Sequence, residues 1–387
     1  MRRLLVLVSA IVLVESTFFS VLAPLLPQYA DEFGLSATAL GILSAAYAAG
    51  ALAAALPSGL IAVRLGVRPT VLAGLAIIVG TSIAFGLAES SWVLYAARFG
   101  QGVGSALAWT GGLAWLIAAA PRSRRGELIG IAMGSAVVGA LLGPVLGGIA
   151  SLTGTGAAFT AVAVTSLVLG AWAWTMPAAR PAEAPQPLRY LLGAFREREV
   201  VSGFWLVSLS AFLLGVISVV APISLDELGW GAVGISAAFL VSAAVEAALN
   251  PLLGRWSDRY GRFAPVRAGL FGCVAVSLVI PWVGLRWPAL FLVMVAGIFY
   301  GAFWVPGTAL LSDGAESAGL DQGFGFALLN VAWAPANLVG AALGGALADL
   351  VGDAGPYLLA AALSLVTFAA ARPAVLDRQA AAAKGSL

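Results

Sequence analysis

Long uncharged apolar runs constrain the fold of this chain more than any other feature. Residues 38–60 and 323–348, for example, contain no charged side chain. About 20 such residues form a helix that crosses the hydrocarbon core of a bilayer. Over the whole chain 61% of residues are hydrophobic and 10% are charged, whereas soluble domains carry about 25% charged residues. We therefore expect an all-α integral membrane protein, which excludes a soluble enzyme and a nucleic-acid binder.

The apolar runs predict twelve transmembrane helices. The expected spans lie near residues 4–26, 38–60, 67–87, 92–117, 126–150, 155–176, 200–222, 232–253, 264–284, 288–311, 323–348 and 354–371. The first span stays apolar to Leu26 and shows no small-residue cleavage site, so we interpret it as a retained helix rather than a signal peptide.

Basic residues are distributed unevenly between the two sides of the predicted membrane. All 20 Lys and Arg residues except Arg98 and Arg286 fall in the termini or in the loops of one side. Basic loops of multi-pass proteins face the cytoplasm, so both termini are expected there. The Ala-rich composition, with Lys384 as its one Lys, indicates a GC-rich bacterial genome and hence the inner membrane.

The second half of the chain repeats the first. The sequence Asp-Glu-Phe-Gly from Asp31 recurs as Asp-Glu-Leu-Gly from Asp226, and the segment from Gly59 recurs from Gly254 at the same offset of 195 residues. Tandem six-helix repeats characterise one large transporter architecture. The expected parts are an N-terminal six-helix bundle, a cytoplasmic linker and a C-terminal six-helix bundle, at residues 1–176, 177–199 and 200–387.

The repeated loop motif resembles that of a known family. The chain reads GLIAVRLGVR after span two and GRWSDRYGR after span eight. Both are similar to the loops after the second and eighth helices of the major facilitator superfamily. In those loops glycines allow a tight turn and an Asp-Arg pair latches helix ends. Val63 stands where the first copy should have its acid, and the consequence for the latch stays open. The matching residues are Gly59, Arg64, Gly66, Arg68, Gly254, Asp258, Arg259 and Gly261.

Span four extends the resemblance. It reads LYAARFGQGVGSA from Leu94, which is similar to the fourth-helix motif of the superfamily. Helical spacing places Arg98, Gln101 and Trp109 on one face. An arginine at membrane depth is costly, so we expect it to face a cavity or an acid.

Span five reads GALLGPVLGG from Gly139 and resembles the fifth-helix motif of the drug:proton antiporters in the superfamily. Gly139, Gly143 and Gly147 recur every four residues, which allows a neighbouring helix to approach closely. Pro144 removes a backbone donor and bends the helix. We expect a structural role in gating.

An acidic residue lies deep in span one. Glu15 precedes Phe18 and Phe19 and a Pro-x-x-Pro sequence, which resembles the first helix of vesicular amine and multidrug antiporters. It lies roughly 16 Å along the helix, near the bilayer midplane. Intramembrane acids are expected to be functional, so Glu15 is our main proton-coupling candidate. A structural role as a partner of Arg98 stays open beside it.

Other polar and aromatic side chains in the spans are weaker candidates. Proton coupling is assigned to Glu15, Arg98 and Glu246, the last being the other acid deep in a span. The substrate-binding candidates are Glu15, Phe18, Phe19, Gln101, Trp109, Glu246, Asn330, Trp333, Tyr300 and Trp304. With no His and one Cys, the chain offers no His/Cys metal site, and neither catalytic residues nor a cofactor are expected.

The resemblance implies a monomeric secondary transporter in the lipid bilayer. We expect proton-coupled efflux of small amphipathic or drug-like compounds by alternating access of the two bundles. The proton gradient would be the energy source, with no enzymatic activity and no nucleic-acid partner. Two alternatives stay open: a facilitator or importer of a sugar or organic acid, and a scaffold or sensor without transport. The identity and charge of the substrate, the direction of transport and the proton stoichiometry are not determined by the sequence.

Overall fold

The computed structural model describes residues 1–121, 124–179, 193–261, 263–320 and 322–371. In these ranges the chain forms fourteen α-helices. They are α1 Arg2–Ser20, α2 Leu26–Phe33, α3 Ala37–Leu65, α4 Val67–Gly86, α5 Ser91–Ala119, α6 Arg125–Thr153, α7 Thr155–Thr175, α8 Arg198–Glu227, α9 Ala232–Tyr260, α10 Phe263–Val279, α11 Arg286–Gly301, α12 Trp304–Ser317, α13 Gln322–Val351 and α14 Ala354–Ala370.

These helices confirm an all-α membrane fold. Two spans are interrupted: α1 and α2 form the first, and α11 and α12 form the tenth. Counted this way, eleven helical segments in the described ranges are long and apolar enough to cross a bilayer. The twelfth predicted span corresponds to α14, which is apolar and 17 residues long. Most helices extend past the expected spans; α3, for example, runs five residues beyond 38–60 at its C-terminal end, to Leu65.

Proline causes the interruption of the first span. Pro24 has no backbone N–H, so the carbonyl four residues earlier loses its helical partner. A short 3₁₀ turn at Ala23–Leu25 separates α1 from α2. The last carbonyls of α1 therefore need donors from elsewhere, because the hydrocarbon core offers no water to bind them.

Each half of the chain encloses its own apolar core. The N-terminal half, α1–α7, buries Trp115 and an aromatic chain in which Phe159 lies 5.4 Å from Phe18 and 4.6 Å from Phe85 between ring centroids. The C-terminal half, α8–α14, buries Tyr300 and Tyr357. Residues 180–192 of the expected linker lie outside the described residues.

The two halves meet near one side of the membrane. We call this side the acidic face, since it carries Asp31, Asp226 and Asp349, and the opposite side, with the N-terminus, the basic face. In the described residues, α3 contacts α13 and α6 contacts α9, a pair of interfaces related by the sequence repeat. A Cβ at Gly345 would overlap the backbone at Ala37, and one at Gly148 would lie 3.2 Å from the Cβ of Ser236.

Nearer the basic face, the helices that join the two halves have open space beside them. A Cβ at Gly59, Gly130 or Gly254 would have no neighbouring atom within 4 Å. These glycines belong to α3, α6 and α9, the helices that touch across the halves at their other ends. The structure is therefore closed at the acidic face.

A helix cap that crosses between the halves closes this face. Asp349, near the end of α13, accepts hydrogen bonds from the backbone N–H groups of Ala37 (3.1 Å) and Thr38 (2.8 Å). Both groups lie in the first turn of α3, where a helix leaves unsatisfied donors and a partial positive charge. Each carboxylate oxygen binds one donor, so a single side chain joins the two halves.

We expect Asp349→Ala to loosen the acidic face. An N-terminal cap contributes about 1 kcal/mol, so the population open at this face should rise about fivefold. Spin labels at Glu89 and Leu285, introduced with Cys273 replaced by Ala, would report this as a second, longer distance in electron-resonance measurements. Asp353→Ala is the matched control, because Asp353 bonds Ser224 within the same half. Equal distance distributions in the two variants would contradict a latching role of Asp349.

Candidate functional site

Glu15 lies in the middle of α1 with its carboxyl group buried. The side chain is 2% exposed, and neither carboxyl oxygen has a hydrogen-bond partner among the described residues. The hydroxyl groups of Ser105 and Tyr47 are its polar neighbours. An unpaired carboxylate is costly to bury, so this group needs a proton or a cation.

Arg98 is buried on α5 and binds α1. Its guanidinium donates to the carbonyl oxygens of Phe18 (3.1 Å) and Phe19 (2.8 Å) and to the side-chain oxygen of Gln101 (3.1 Å). The guanidinium carbon also lies 4.7 Å from the centroid of the Tyr47 ring. These carbonyls precede the proline interruption of the first span, and a cation at the C-terminal end of a helix is electrostatically favourable.

The structure does not pair Arg98 with Glu15, a structural role that the sequence left open. In the part of the chain that is described, no ion pair joins the two side chains. The arginine does not face the acid because its donors already serve the carbonyls of Phe18 and Phe19. In this conformation Arg98 acts as a clamp: its hydrogen bonds to the carbonyls of Phe18 and Phe19 hold the C-terminal end of α1.

The side chains of Phe18 and Phe19 contact different parts of the structure. Phe18 is 1% exposed and packs into the core of the N-terminal half against Phe159. Phe19 contacts Tyr47 at 5.3 Å and, across the interface between the halves, Trp333 at 5.2 Å between ring centroids. The two side chains diverge because positions i+3 and i+4 differ by a turn of about 100°. The Arg98 guanidinium carbon still lies 5.9 Å from the centroid of the Phe18 ring, and substrate binding by Phe18 stays a prediction.

The side chains gathered at this point form one cluster, which we call the Glu15 cluster. Its members are Glu15, Phe19, Tyr47, Arg98, Gln101, Ser105 and Trp333. The Gln101 amide nitrogen and the Arg98 Nε are also buried without partners among the described residues. The cluster thus combines unsatisfied polar atoms with three aromatic rings and draws on both halves.

Span five packs directly on span one. A Cβ at Gly139 would overlap the carbonyl of Leu13, and one at Gly143 would overlap the side chain of Ser20. The Ser20 hydroxyl donates to the carbonyl of Ala140 across this contact at 3.1 Å. The glycine spacing therefore brings α6 against the segment that carries Glu15, with Pro144 and Gly147 in the same stripe. A gating function of the stripe stays a prediction.

The remaining candidates lie apart from the Glu15 cluster. Tyr300 is buried in the core of the C-terminal half, where its hydroxyl lies 2.6 Å from that of Ser277. Glu246 of α9 lies against Gly301 of α11 and lines a pocket with Ala268 of α10 and Phe299 of α11, all in the C-terminal half. Neither side chain therefore lies with the Glu15 cluster, because each faces other helices of the C-terminal half.

Three further candidates flank the site. Trp109 lies on α5 nearer the basic face and packs against the N-terminal core. Asn330 precedes Trp333 by about one turn on α13, and Trp304 begins α12. Substrate binding by these residues stays a prediction.

The loop motifs lie at the basic face and shape helix ends. Gly66 and Gly261 have positive φ angles of 99° and 90°, which glycine adopts without strain, at positions related by the repeat. Arg68 donates to the carbonyl of Met176 at 3.0 Å and so caps the end of α7. Arg259 stacks over Tyr260 at 5.4 Å.

The remaining residues of the loop motifs are Gly59, Gly254, Arg64 and Asp258. Gly59 and Gly254 have open space at their Cβ positions, and Arg64 is exposed. The Asp258 side chain lies outside the described part, so the latch that it would form stays a prediction.

Sequence reasoning missed three features. Tyr47 is the one aromatic residue in span two, and its ring contacts the Arg98 guanidinium, but it belongs to none of the recognised sequence motifs. A second glycine stripe, Gly340 and Gly344, packs on Phe212 and Val216 as the first packs on α1, and its four-residue spacing could have revealed it. Asp349 could be recognised only from its contact with α3.

Comparison with known proteins identifies the family. The profile described as Major Facilitator Superfamily matches residues 8–324 and 203–385. The chain belongs to this superfamily. A crystal structure of a bacterial homologue of the human lysosomal transporter Spinster, in an inward-facing and unoccupied conformation, superposes with a TM-score of 0.72. It covers 95% of this chain and 91% of that one at 17% identity, so it supports the superfamily fold.

Two bacterial relatives within the superfamily are described as multidrug resistance proteins. MdtH of Klebsiella pneumoniae is 24% identical over 369 residues, which cover 92% of this chain and 90% of the relative. MdtL of Escherichia coli O157:H7 is 32% identical over 147 residues, 38% of each chain. Membership in the superfamily makes this protein a membrane transporter and not an enzyme.

We expect Arg98→Lys to destabilise the first span. Lysine keeps the charge but has a single ammonium group in place of the planar guanidinium that binds two carbonyls together. Loss of that geometry should lower the free energy of unfolding by about 1–2 kcal/mol, seen as a lower Tm in detergent. Arg286→Lys, whose guanidinium stacks on Trp230 at the acidic face, is the control. Equal Tm values for both variants would contradict the clamp.

We expect Gly143→Ala to push α6 away from α1. The added Cβ would overlap Ser20, and such overpacking costs about 1–3 kcal/mol. Gly134→Ala lies on the same helix in open space, so it should be neutral or slightly stabilising. Thermal unfolding of the two variants tests the contact, and a Tm for Gly143→Ala at or above that of Gly134→Ala would exclude it.

Proposed function

We propose that this transporter expels small amphipathic or drug-like compounds in exchange for protons. Glu15 is the proton-coupling residue and contributes to the substrate site. The observation that carries the proposal is the burial of its carboxyl group without a hydrogen bond or an ion pair among the described residues. The substrate site is the Glu15 cluster between the two halves.

An unpaired buried carboxyl group can bind a proton or a cationic substrate, but not both. As a carboxylate it carries an uncompensated charge in a medium of low polarity, which is strongly unfavourable. A proton or the cationic group of a substrate removes this cost, and each excludes the other. Exchange of one for the other on a single carboxyl group is the chemical basis of antiport.

Arg98 supports this exchange by remaining bound to α1. Because its donors serve the carbonyls of Phe18 and Phe19, it leaves Glu15 without a permanent counter-ion. A fixed ion pair would keep the carboxylate charged and oppose protonation. We therefore assign Arg98 a positioning role in coupling.

The aromatic members of the cluster provide the apolar part of the substrate site. Phe19, Tyr47 and Trp333 offer ring faces to a lipophilic cation, through apolar contact and cation–π attraction. Phe19 and Trp333 belong to different halves and touch each other. A substrate between them would contact both halves, so its binding would be sensitive to their relative position, as alternating access requires.

Efflux is the direction supported by the relatives. MdtH and MdtL are described as multidrug resistance proteins, and the Arg-rich loops predict a cytoplasmic basic face. The basic face is the side at which the helices separate, so substrate enters from the cytoplasm. We place the protein in the bacterial inner membrane as a monomer. Proton entry supplies about 2.3 kcal/mol per 100 mV of membrane potential.

We expect Glu15→Gln to abolish coupled transport. In proteoliposomes with an internal pH dye, cationic drugs should cause proton movement with the wild-type protein and none with the variant, because the amide binds no proton. Neutral and anionic compounds in the same panel report the charge class of the substrate. Undiminished drug-dependent proton movement in Glu15→Gln would refute the proposal.

The control is Glu89→Gln, which removes an exposed acid at the acidic face and should leave proton movement unchanged. Tracer uptake without any pH change in the wild type would instead indicate a facilitator. Neither tracer uptake nor proton movement across the panel would favour a scaffold or sensor.

A further inference from the structure

A second acidic side chain at membrane depth, that of Glu246, lies half-buried outside the Glu15 cluster. Glu246 lies near the middle of α9, a 29-residue helix, and hence deep in the membrane. Its carboxyl group fills the space beside Gly301 of α11, where a Cβ would overlap it. No hydrogen bond or ion pair involves this carboxyl group in the described ranges. The nearby Ser242 hydroxyl already donates to the carbonyl of Met294 at 2.9 Å.

A narrow groove between α9, α10 and α11 begins at Glu246. We call it the lateral groove. Its volume is about 110 Å³. Leu253 and Trp256 line it on successive turns of α9, so the groove runs from Glu246 toward the basic face. Ala268 of α10 and Phe299 of α11 complete the lining. Apart from the carboxyl group, the groove is apolar.

The lateral groove is separate from the proposed transport site. All of its lining residues belong to the C-terminal half, whereas Glu15 and Arg98 belong to the N-terminal half. No residue of α6 lines the groove, which lies between α9, α10 and α11. A ligand in it would leave the Glu15 cluster accessible.

We infer that the lateral groove binds the charged end of a slender lipophilic monocation, such as an alkylammonium ion. One unpaired carboxylate at membrane depth favours one positive charge, and the ring of Phe299, which also lines the groove, favours the same charge by cation–π attraction. A divalent metal is disfavoured, because no group of three metal-binding side chains occurs in the described residues.

The size of the groove limits what it holds. Sites for whole drug-sized ligands measure about 300–1,000 Å³, so about 110 Å³ accommodates an ammonium group and a few carbons. The remaining alkyl chain must leave the groove toward the lipid at the basic face, where Trp256 is 40% exposed. This geometry suits a single-chain amphiphile dissolved in that leaflet. It excludes a bulky cation whose charge is surrounded by rings.

The inference goes beyond the proposed function and can be tested independently of it. The protein in lipid nanodiscs would be titrated with radiolabelled octyltrimethylammonium, and the bound equivalents counted. We expect a component of binding that is lost, or weakened at least tenfold, in Glu246→Gln. The same component should persist in Glu15→Gln and should resist competition by tetraphenylphosphonium, which is too wide for the groove.

Two more variants make the outcome decisive. Ala268→Phe fills the groove without removing the carboxyl group and should abolish the same component, while Glu89→Gln removes a surface acid and should leave it intact. Unchanged binding in both Glu246→Gln and Ala268→Phe would overturn the inference. Binding that disappears entirely in Glu15→Gln would also overturn it and would assign all of the binding to the central cluster. If Glu15→Gln binds as the wild type does while Glu246→Gln does not, the groove is supported and the proposed substrate site is refuted.

Discussion

The hydrogen bonds from Arg98 to the carbonyl oxygens of Phe18 and Phe19 are the interaction on which the site depends. Lipid offers no donors to a carbonyl at an interrupted helix, so the proline-containing first span needs an internal one. The guanidinium supplies it and rests on Tyr47. Both terminal nitrogens of the guanidinium are engaged there, and Glu15, about one turn earlier on α1, has no counter-ion among the described residues. The same contacts thus stabilise the interrupted helix and leave the carboxyl group available for exchange.

Glycine stripes determine how each half is packed around this point. Gly139 and Gly143 bring α6 onto the backbone of α1, and Gly340 and Gly344 bring α13 onto α8. Between the halves, Gly345 packs on Ala37, Phe19 meets Trp333, and one carboxylate, Asp349, caps a helix of the opposite half. Dense packing within each half and few directional contacts between them are what two rigid bundles need in order to move against each other.

Much of this architecture follows from the sequence, whereas the membership of the site does so only in part. Helical periodicity correctly indicated that Gly139, Gly143 and Gly147 share a face, but it did not identify which helix that face meets. The same limit applies to Tyr300 and Glu246, which occupy polar stripes on their helices. The structure turns both stripes into the C-terminal half, apart from the Glu15 cluster. Phe18 and Phe19, at positions i+3 and i+4 from Glu15, diverge because α7 packs against Phe18, a contact that the sequence did not indicate.

The sequence by itself determined the membrane-spanning class, the order of the apolar spans, the tandem repeat and the superfamily, because each depends on residues near one another along the chain. The tertiary structure alone decided that Arg98 binds carbonyls rather than Glu15, that Phe19 meets Trp333 and that Asp349 closes the acidic face. These contacts join residues far apart in sequence. Their geometry depends on how helices rotate and pack against one another, which local periodicity does not specify.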